Sequence, residues 1–389
     1  MRNLIRPLGL AFASAIVLSS SSLAQSQPCA PTLVANNPPK SQTSKVPEAT
    51  VVAISPTFTW NGVTVSTTGR LFVSMQRDFN DSKTPSVGEI LPNGQISPFP
   101  GGHWNSYKNG NLGEDQFIGI NSVVSDAKDQ LWVVDPAGIG GKPMKGKAKL
   151  VHIDIASKKV VRVYRFDATV VPEGGFINDV RVGDGYAYLP DSSLGALIVV
   201  NLETGASRRV LANDPRLRSD RTLKLTVSGK PYLNVNGQLP NGNMSVNPVE
   251  LSSDGRYFYF QPSGGPTLMR IETRLLKDFT TADSVLSKAI ESMGRGPFNA
   301  GMSMAPDGSI YFSDIELGGI SRRFPDGHFE VVARGPASIL VWPDASRIGP
   351  DGYLYFPSSQ INRFAGNSTT GKSQLQFPFH LFKVKIQGP

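Results

Sequence analysis

The chain has 389 residues, of which 39% are hydrophobic and 18% charged, so it can form a sizeable core and is not disordered throughout. Gly (39 residues) and Pro (30) are abundant, which favours many short strands and turns over long helices. The formal net charge is +8, but the densest basic stretch, residues 142–149, has no aromatic residue, which argues against a nucleic-acid partner. An anionic ligand or surface stays compatible with this charge.

The N-terminus has the pattern of a signal peptide over residues 1–24. Arg2 and Arg6 flank the start, LGLAFASAIVL is the apolar middle, and SSLA places small residues before cleavage after Ala24. The apolar stretch is short for a bilayer, and no later stretch is longer, so we expect no membrane span. The protein is therefore expected to be secreted or periplasmic. The single cysteine, Cys29, cannot form an internal disulfide.

Residues 25–50 are rich in Pro, Ser, Asn and Gln, which is typical of a tail or an extended strap. The compact domain is expected over residues 51–389. Within it, a Gly or Asp turn followed by an apolar run recurs six times, as in TGRLFVS and PDGSIYFSD. The aromatic residues of these runs are Phe72, Trp132, Tyr188, Phe258, Tyr311 and Tyr355.

The repeat predicts an all-β fold, a six-bladed β-propeller. Its spacing matches the period of one blade, and each unit has room for further strands such as LIVVNLETG. A single four-stranded blade cannot bury both of its faces, whereas six blades around an axis bury face against face. A β-sandwich with a second domain is the alternative, but it would leave the six similar units unexplained.

One segment departs from the strand pattern. Residues 280–294, TTADSVLSKAIESMG, carry apolar residues at helical spacing. We predict one helix inserted between the fourth and fifth blades, with Thr281 capping its start and Gly294 its end.

A polar residue recurs seven to nine positions before each turn residue, at the start of the strand leading into the turn. In a propeller this strand is the innermost, and it begins at one mouth of the central channel. The six positions are Asn61, Asn121, Asn178, Asn247, Asn299 and Asp344. With the neighbouring Asp179 they are our ligand-binding candidates. The structural alternative is that these side chains only accept backbone N–H bonds at turns and strand starts.

Such a ring of oxygen atoms suits a hard cation or a polar small molecule. Asn178, Asn247 and Asp344 are the candidate ligands of a divalent cation such as calcium, but the sequence alone establishes no cofactor. Acid–base chemistry would fall to Asp179 or Asp344. No His pair has zinc-ligand spacing and no G-x-S-x-G motif occurs, so zinc and Ser–His–Asp chemistry lack support. We interpret three further acids as turn residues away from the mouth: Asp135, Asp191 and Asp314.

Several aromatic residues are expected near the channel mouths, where they would wall a pocket for an aromatic or amine ligand or else belong to the core. They are Trp60, Trp104, Phe176, Phe298 and Trp342.

The stretches WNGVTVSTTGRLFVSMQRD, FINDVRVGDGYAYLPDSSLGALIVVNLETGASRRVL, GMSMAPDGSIYFSDIE and PFHLFKVKI resemble the major royal jelly protein and Yellow family. The resemblance covers residues 55–386. It implies a secreted six-bladed propeller; some relatives are linked to dopachrome conversion, and others bind biogenic amines or sterols in or beside the channel. The cysteines of the insect members are absent and the loops are compact, which resembles a bacterial, dopachrome-tautomerase-related branch. No catalytic residue is carried over.

The chain also resembles, more loosely, the gluconolactonase type of sugar-lactone hydrolase. Those enzymes are six-bladed and hold a divalent cation with Glu, Asn and Asp at inner-strand starts. Asn178, Asn247 and Asp344 stand at such positions, but Asn61 replaces the Glu. Three functions therefore stay open: a small-molecule-binding protein with or without dopachrome-isomerase-like activity, a cation-dependent lactonase, and a non-catalytic interaction scaffold.

Overall fold

The computed structural model describes residues 46–77, 84–139, 142–240 and 244–386. These residues form a six-bladed β-propeller, so the predicted all-β fold is confirmed. The predicted signal peptide, Cys29 and residues 25–45 of the predicted tail lie outside the described residues. Within the described ranges, no helix has the length and apolar character that crossing a membrane requires.

Each blade is a four-stranded antiparallel sheet. The first strand, β1 (Thr50–Ser55), precedes the first complete blade. Blade 1 consists of β2 (Val63–Val65), β3 (Leu71–Ser74), β4 (Val87–Ile90) and β5 (Ile96–Pro98). Blade 2 consists of β6 (Ser122–Ser125), β7 (Gln130–Asp135), β10 (Lys149–Asp154) and β11 (Lys159–Arg165), with the small hairpin β8 (Gly138–Ile139) and β9 (Lys142–Pro143) between its second and third strands.

Blade 3 consists of β12 (Arg181–Gly183), β13 (Tyr186–Asp191), β14 (Ala196–Asn201) and β15 (Ser207–Val210), and the hairpin β16 (Thr226–Val227) and β17 (Lys230–Pro231) follows it. Blade 4 consists of β18 (Val246–Leu251), β19 (Tyr257–Pro262), β20 (Thr267–Glu272) and β21 (Glu291–Arg295), with α1 (Thr273–Lys277) and α2 (Asp283–Ala289) between its last two strands. Blade 5 consists of β22 (Asn299–Met304), β23 (Ile310–Asp314), β24 (Gly319–Arg323) and β25 (Phe329–Arg334). Blade 6 consists of β26 (Arg347–Ile348), β27 (Tyr353–Pro357), β28 (Phe379–Lys385) and β1.

The ring is closed by strands from both ends of the described chain. Strand β1 pairs antiparallel with β28, from Thr50 opposite Lys383 to Ser55 opposite Phe379. Because β28 also pairs with β27, blade 6 is complete only when both ends of the chain are in place. Closure of the ring leaves only short strand edges exposed.

The six repeated aromatic residues all lie on the second strand of their blades, as the sequence repeat predicts. These strands are rich in aromatic and β-branched residues and are largely buried; β19, for example, reads YFYFQP. Tyr188 of blade 3 stacks on Phe258 of blade 4, with ring centroids 5.3 Å apart. The repeat therefore reflects packing of blade against blade, which every unit must provide.

The predicted helix over residues 280–294 is too long and misplaced. Helix α2 ends at Ala289, and the next residues form β21, whose Ser292 pairs with Met269 of β20. The helices therefore lie inside blade 4 and not between blades four and five. The Thr281 hydroxyl binds Asp278 and does not cap α2, which follows Ala282. Beyond Ile290 the chain can form backbone hydrogen bonds with the open edge of β20. This strand pairing is favoured over continuing the helix that the apolar spacing predicts.

Candidate functional site

A cavity of about 480 Å³ lies at the end of the channel where the inner strands begin. We call it the mouth cavity. Five of the six predicted ring residues line it: Asn61, Asn121, Asn178, Asn247 and Asp344. Asn299 does not, because its amide turns back to the carbonyl oxygen of Pro297, with an N–O distance of 3.0 Å.

The first three asparagines connect neighbouring blades. Asn61 Nδ2 donates to the carbonyl oxygen of Asn121 at 3.2 Å, and Asn121 Nδ2 donates to the carbonyl oxygen and Oδ1 of Asn178 at 2.8 and 3.0 Å. Asn178 Nδ2 donates in turn to Ser192 Oγ at 3.1 Å. Part of the ring thus has the structural role that the sequence left open. Asn61 Oδ1, however, is buried without a bonded partner among the described residues.

Asp179 does not line the mouth cavity but lies deeper in the channel. Successive residues of an extended chain point to opposite sides, so Asp179 cannot face the same way as Asn178. Its Oδ1 accepts from Ser122 Oγ at 2.6 Å and its Oδ2 pairs with Arg181 at 2.8 Å. It also contacts Arg347 Nη2 at 3.2 Å. We call Asp179, Arg181, Glu250 and Arg347 the channel ion cluster.

The charges within the channel ion cluster neutralise one another. Arg181 Nε binds Glu250 at 2.7 Å, so two arginines face two carboxylates in a nearly buried group. Burial alone would raise the pKa of Asp179, but the charges of Arg181 and Arg347 outweigh it and hold that pKa well below its usual range. Sequence reasoning missed the other three members. Each stands three residues after a ring position: Arg181 after Asn178, Glu250 after Asn247 and Arg347 after Asp344.

Asp344 lies in a different electrostatic environment from Asp179. Its Oδ1 accepts the backbone N–H of Ala345 at 2.8 Å, and none of the described cations forms an ion pair with it. Burial, and secondly the charge of Asp179, raise the pKa of Asp344 to about 8. Asp344 therefore holds a proton at neutral pH and can act as a hydrogen-bond donor or an acid.

Aromatic residues form part of the cavity wall. Phe176 and Trp342 line it as expected, and Tyr232, which no sequence pattern singled out, joins them. Tyr232 comes from the connection between blades 3 and 4 and packs against Trp342 with ring centroids 5.0 Å apart. Trp60, Trp104 and Phe298 are not lining residues; they pack against core or neighbouring rings.

The acids that end the second strands are not remote from the mouth, contrary to our interpretation. Because the strands are antiparallel, the second strand ends where the first begins, and Asn178 N–H donates to the carbonyl oxygen of Pro190. Asp191 is fully buried, accepts the N–H groups of Phe176 and Leu194 at 3.0 Å each, and pairs with Arg209 at 2.7 Å.

Asp135 has the same role in blade 2, where it accepts the N–H of Ile118 at 2.9 Å and pairs with buried Lys149 at 2.9 Å. In blade 5, Asp314 pairs with Asn299 at the equivalent end and accepts the N–H of Leu317 at 3.0 Å. These acids anchor loops that build the mouth.

A family model described as major royal jelly protein matches residues 119–385. The chain belongs to the major royal jelly protein family. No curated protein sequence matches it. The match covers blades 2 to 5, the strands β26, β27 and β28 of blade 6, and the residues of the mouth cavity from Gly119 onward.

Solved structures with a similar fold include a luciferin-regenerating enzyme, 10% identical, over 87% of this chain and 96% of that one, with a TM-score of 0.50. Virginiamycin B lyase from Staphylococcus aureus is 14% identical over 87% and 89% of the two chains, with a TM-score of 0.46. A putative oxidoreductase (glucose dehydrogenase) from Thermus thermophilus is 11% identical over 86% and 100%, with a TM-score of 0.49. At such identities the likeness is one of fold alone.

The mouth cavity of this major royal jelly protein is a poor match for a divalent cation. Calcium prefers several carboxylate oxygens, whereas Asp344 is the one acid of the candidate set Asn178, Asn247 and Asp344. Asn178 Oδ1 already accepts a bond from Asn121, and Lys142 lines the same cavity. No group of three His, Cys, Asp or Glu side chains in the described ranges could hold a metal. We assign no chemistry to a metal.

Proposed function

We propose that this member of the major royal jelly protein family is an exported protein that binds a small aromatic ligand in the mouth cavity. One observation carries the proposal: a protonated, buried acid, Asp344, and a set of amides line the same cavity as Trp342 and Tyr232. A mostly apolar wall with a few converging polar groups is the usual composition of a small-molecule site.

The aromatic and the polar residues of the mouth cavity are suited to different parts of such a ligand. Phe176, Trp342 and Tyr232 offer ring faces and edges to an aromatic group. Asn61 Oδ1, which is buried without a described partner, can accept a hydrogen bond from a ligand hydroxyl or amine. Asp344 can donate its proton to a carbonyl oxygen, or bind an ammonium group as a carboxylate after releasing that proton.

The same acid is suited to an isomerisation. Conversion of dopachrome moves a proton from a ring carbon to another position, with no net change in electrons. Asp344, with its pKa raised to about 8 by burial and then by the charge of Asp179, can exchange a proton with the ligand near neutral pH. A dopachrome-isomerase-like activity is the reaction we assign to this arrangement, with Asp344 as the group that gives or accepts the proton.

Binding can be tested by calorimetry with catechol, dopamine and a sugar lactone on the purified mature protein. We expect the two aromatic compounds to bind and Trp342→Leu to weaken them by about tenfold, since part of a ring contact is lost. Trp104→Leu is the matched control, because Trp104 packs on Phe117 outside the cavity wall. If no aromatic compound binds, the interaction-scaffold alternative is the better account.

Catalysis is tested separately by following dopachrome absorbance. We expect Asp344→Asn to abolish conversion while catechol binding persists, since the amide keeps the shape of the carboxyl but cannot transfer the proton. Conversion at the wild-type rate in this variant would remove Asp344 from the reaction and leave a binding protein. The sugar-lactone alternative would require lactone hydrolysis that depends on an added divalent cation.

A further inference from the structure

A second cavity, of about 530 Å³, adjoins the mouth cavity and shares Ser193 and Met244 with it. Three arginines line this second cavity: Arg209, Arg218 and Arg221. We call it the arginine cleft. Its wall toward the mouth is fixed by buried Asp191, which accepts the N–H groups of Ser193 and Leu194 at 3.1 and 3.0 Å.

The three arginines differ in their charge balance. Arg209 is neutralised by Asp191 at 2.7 Å. Arg218 and Arg221 have no carboxylate partner in the part of the chain that the structure describes; Arg218 Nη2 donates to the carbonyl oxygen of Ala212 at 3.2 Å, and Arg221 donates to the carbonyl oxygens of Leu239 and Pro240. The cleft therefore keeps two uncompensated positive charges and several guanidinium N–H donors, which bind anionic oxygens well.

Two glycines leave space for side chains of the arginine cleft. A Cβ on Gly195 would lie 2.9 Å from Arg218 Cγ, so the glycine makes room for the arginine stem, and its φ of +75° also favours glycine. A Cβ on Gly264 would collide with Ser219 Oγ. That hydroxyl, between the two arginines in sequence, is buried without a bonded partner in the described ranges. Ser219 lines the cleft, and its buried hydroxyl, unbonded among the described residues, lies next in sequence to one arginine and two residues from the other.

We propose that the arginine cleft is an anion subsite, in which Arg218, Ser219 and Arg221 hold the carboxylate, sulfate or phosphate group of a ligand whose aromatic part lies in the mouth cavity. The inference rests on the proposed function for the aromatic part, and it narrows the ligand class to aromatic compounds with a tethered anionic group. Ser193 and Met244 line both cavities, so the two subsites lie next to each other, as a single ligand with an aromatic and an anionic part requires.

The test uses a matched pair of ligands, 4-ethylcatechol and 3-(3,4-dihydroxyphenyl)propionate, which share the aromatic ring but differ in the carboxylate. We expect the wild-type mature protein to bind the acid roughly 10- to 100-fold more tightly than the neutral compound. Arg218→Ala combined with Arg221→Ala should erase this difference and leave the affinity for 4-ethylcatechol unchanged. Arg256→Ala, at a turn on the opposite end of the channel, is the control and should keep the difference.

Arg221 also bonds the loop that contains Leu239 and Pro240, so its loss could disturb folding. Arg218→Glu is therefore measured alongside; it should repel the acid without affecting 4-ethylcatechol. Equal affinity of the wild type for the acid and the neutral compound would overturn the anion subsite and leave the aromatic site standing.

The anion subsite can also be tested if the proposed aromatic site proves wrong. If neither aromatic compound binds, the proposed function fails. Binding to the arginine cleft is then measured with inorganic sulfate and inorganic phosphate alone. Saturable binding of either anion that Arg218→Glu abolishes would support the subsite, and the preferred anion would distinguish a sulfate from a phosphate ligand. The absence of anion binding to the wild type would overturn it.

Discussion

Asp179 and Asp344 are both buried in the channel of one propeller, yet the pKa values of their carboxyl groups are shifted in opposite directions. Arg181 and Arg347 overcome the effect of burial on Asp179 and lower its pKa, whereas burial and then the charge of Asp179 raise the pKa of Asp344 to about 8. The charged acid pairs with Arg181 and Arg347, and the protonated acid lines the mouth cavity. One aspartate thus has a structural role in the channel ion cluster, and the other is the acid of the proposed ligand site.

The structural role of Asp179 predicts a large loss of stability on neutralisation. Asp179→Asn would leave Arg181 and Arg347 buried with one carboxylate, Glu250, between them. We expect the free energy of unfolding to fall by about 3–5 kcal/mol, as is usual when one partner of a buried ion pair is removed. Urea unfolding at pH 7 measures it.

The matched control for this change is Asp115→Asn, because Asp115 pairs with Arg165 at 2.8 Å on an exposed surface. Its effect should stay within about 1 kcal/mol. If the two variants lose similar stability, the channel ion cluster does not support the fold in the way described.

The protonated state of Asp344 predicts a specific dependence of stability on pH. The ordinary pKa of an aspartate, 3.8, applies to the unfolded chain, and the pKa of Asp344 in the folded chain is about 8. Between these values the folded state binds a proton that the unfolded state lacks. Stability therefore falls as pH rises through this window and levels off above about pH 8. Asp344→Asn keeps the shape without the proton.

The difference in unfolding free energy between Asp344→Asn and the wild type should accordingly grow by about 1 kcal/mol per pH unit between pH 5 and pH 8. Asp314, whose pKa burial raises to about 6, titrates in both proteins, so its contribution cancels in the difference. Parallel stability curves for the two proteins over this range would show that Asp344 is ionised in the fold.

The fold was predictable because every blade must bury its faces against the neighbouring blades in the same way. Phe258 and Tyr188 occupy equivalent second strands and stack on each other, so the requirement for a buried ring recurs in the sequence. The helix in blade 4 was predicted too long for the opposite reason: a local apolar pattern carries no information about the free edge of β20, which pairs with Ser292.

The site was predictable only where it follows the repeat. Asn61, Asn121 and Asp344 stand at equivalent strand starts and line the mouth cavity. Asp179, one residue from Asn178, was misplaced because alternation along an extended chain sends neighbours to opposite sides. Tyr232 was missed because it lies in a connection between blades that has no counterpart in the other units.

The shape of the mouth depends on a close approach between two backbones. A Cβ on Gly119 would overlap the carbonyl oxygen and backbone of Gly138, which starts the hairpin β8–β9. Gly119→Ala should therefore cost about 1–3 kcal/mol in urea unfolding, since no side chain can move aside. Gly366→Ala is the control: it also borders the cavity, but its Cβ would meet nothing within 4 Å. Equal stability of the two variants would argue against this close approach.

The donor set of the mouth cavity predicts that no calcium ion is needed for stability or binding. Asp344 is the one acid among Asn178, Asn247 and Asp344, and it carries a proton that a cation would have to displace. We expect elemental analysis of the purified protein to find substoichiometric calcium, and EDTA to leave both the melting temperature and catechol binding unchanged.

A ligand that binds only the folded state must raise the melting temperature, so added calcium provides the complementary measurement. We expect no increase at millimolar calcium in the wild type. One tightly bound calcium ion per chain, lost in Asp344→Asn and in Asn247→Ala but retained in Asn299→Ala, would instead establish the cation site. Asn299 is the suitable control because its amide turns away to Pro297. Such a result would favour the lactonase alternative over the binding of aromatic compounds.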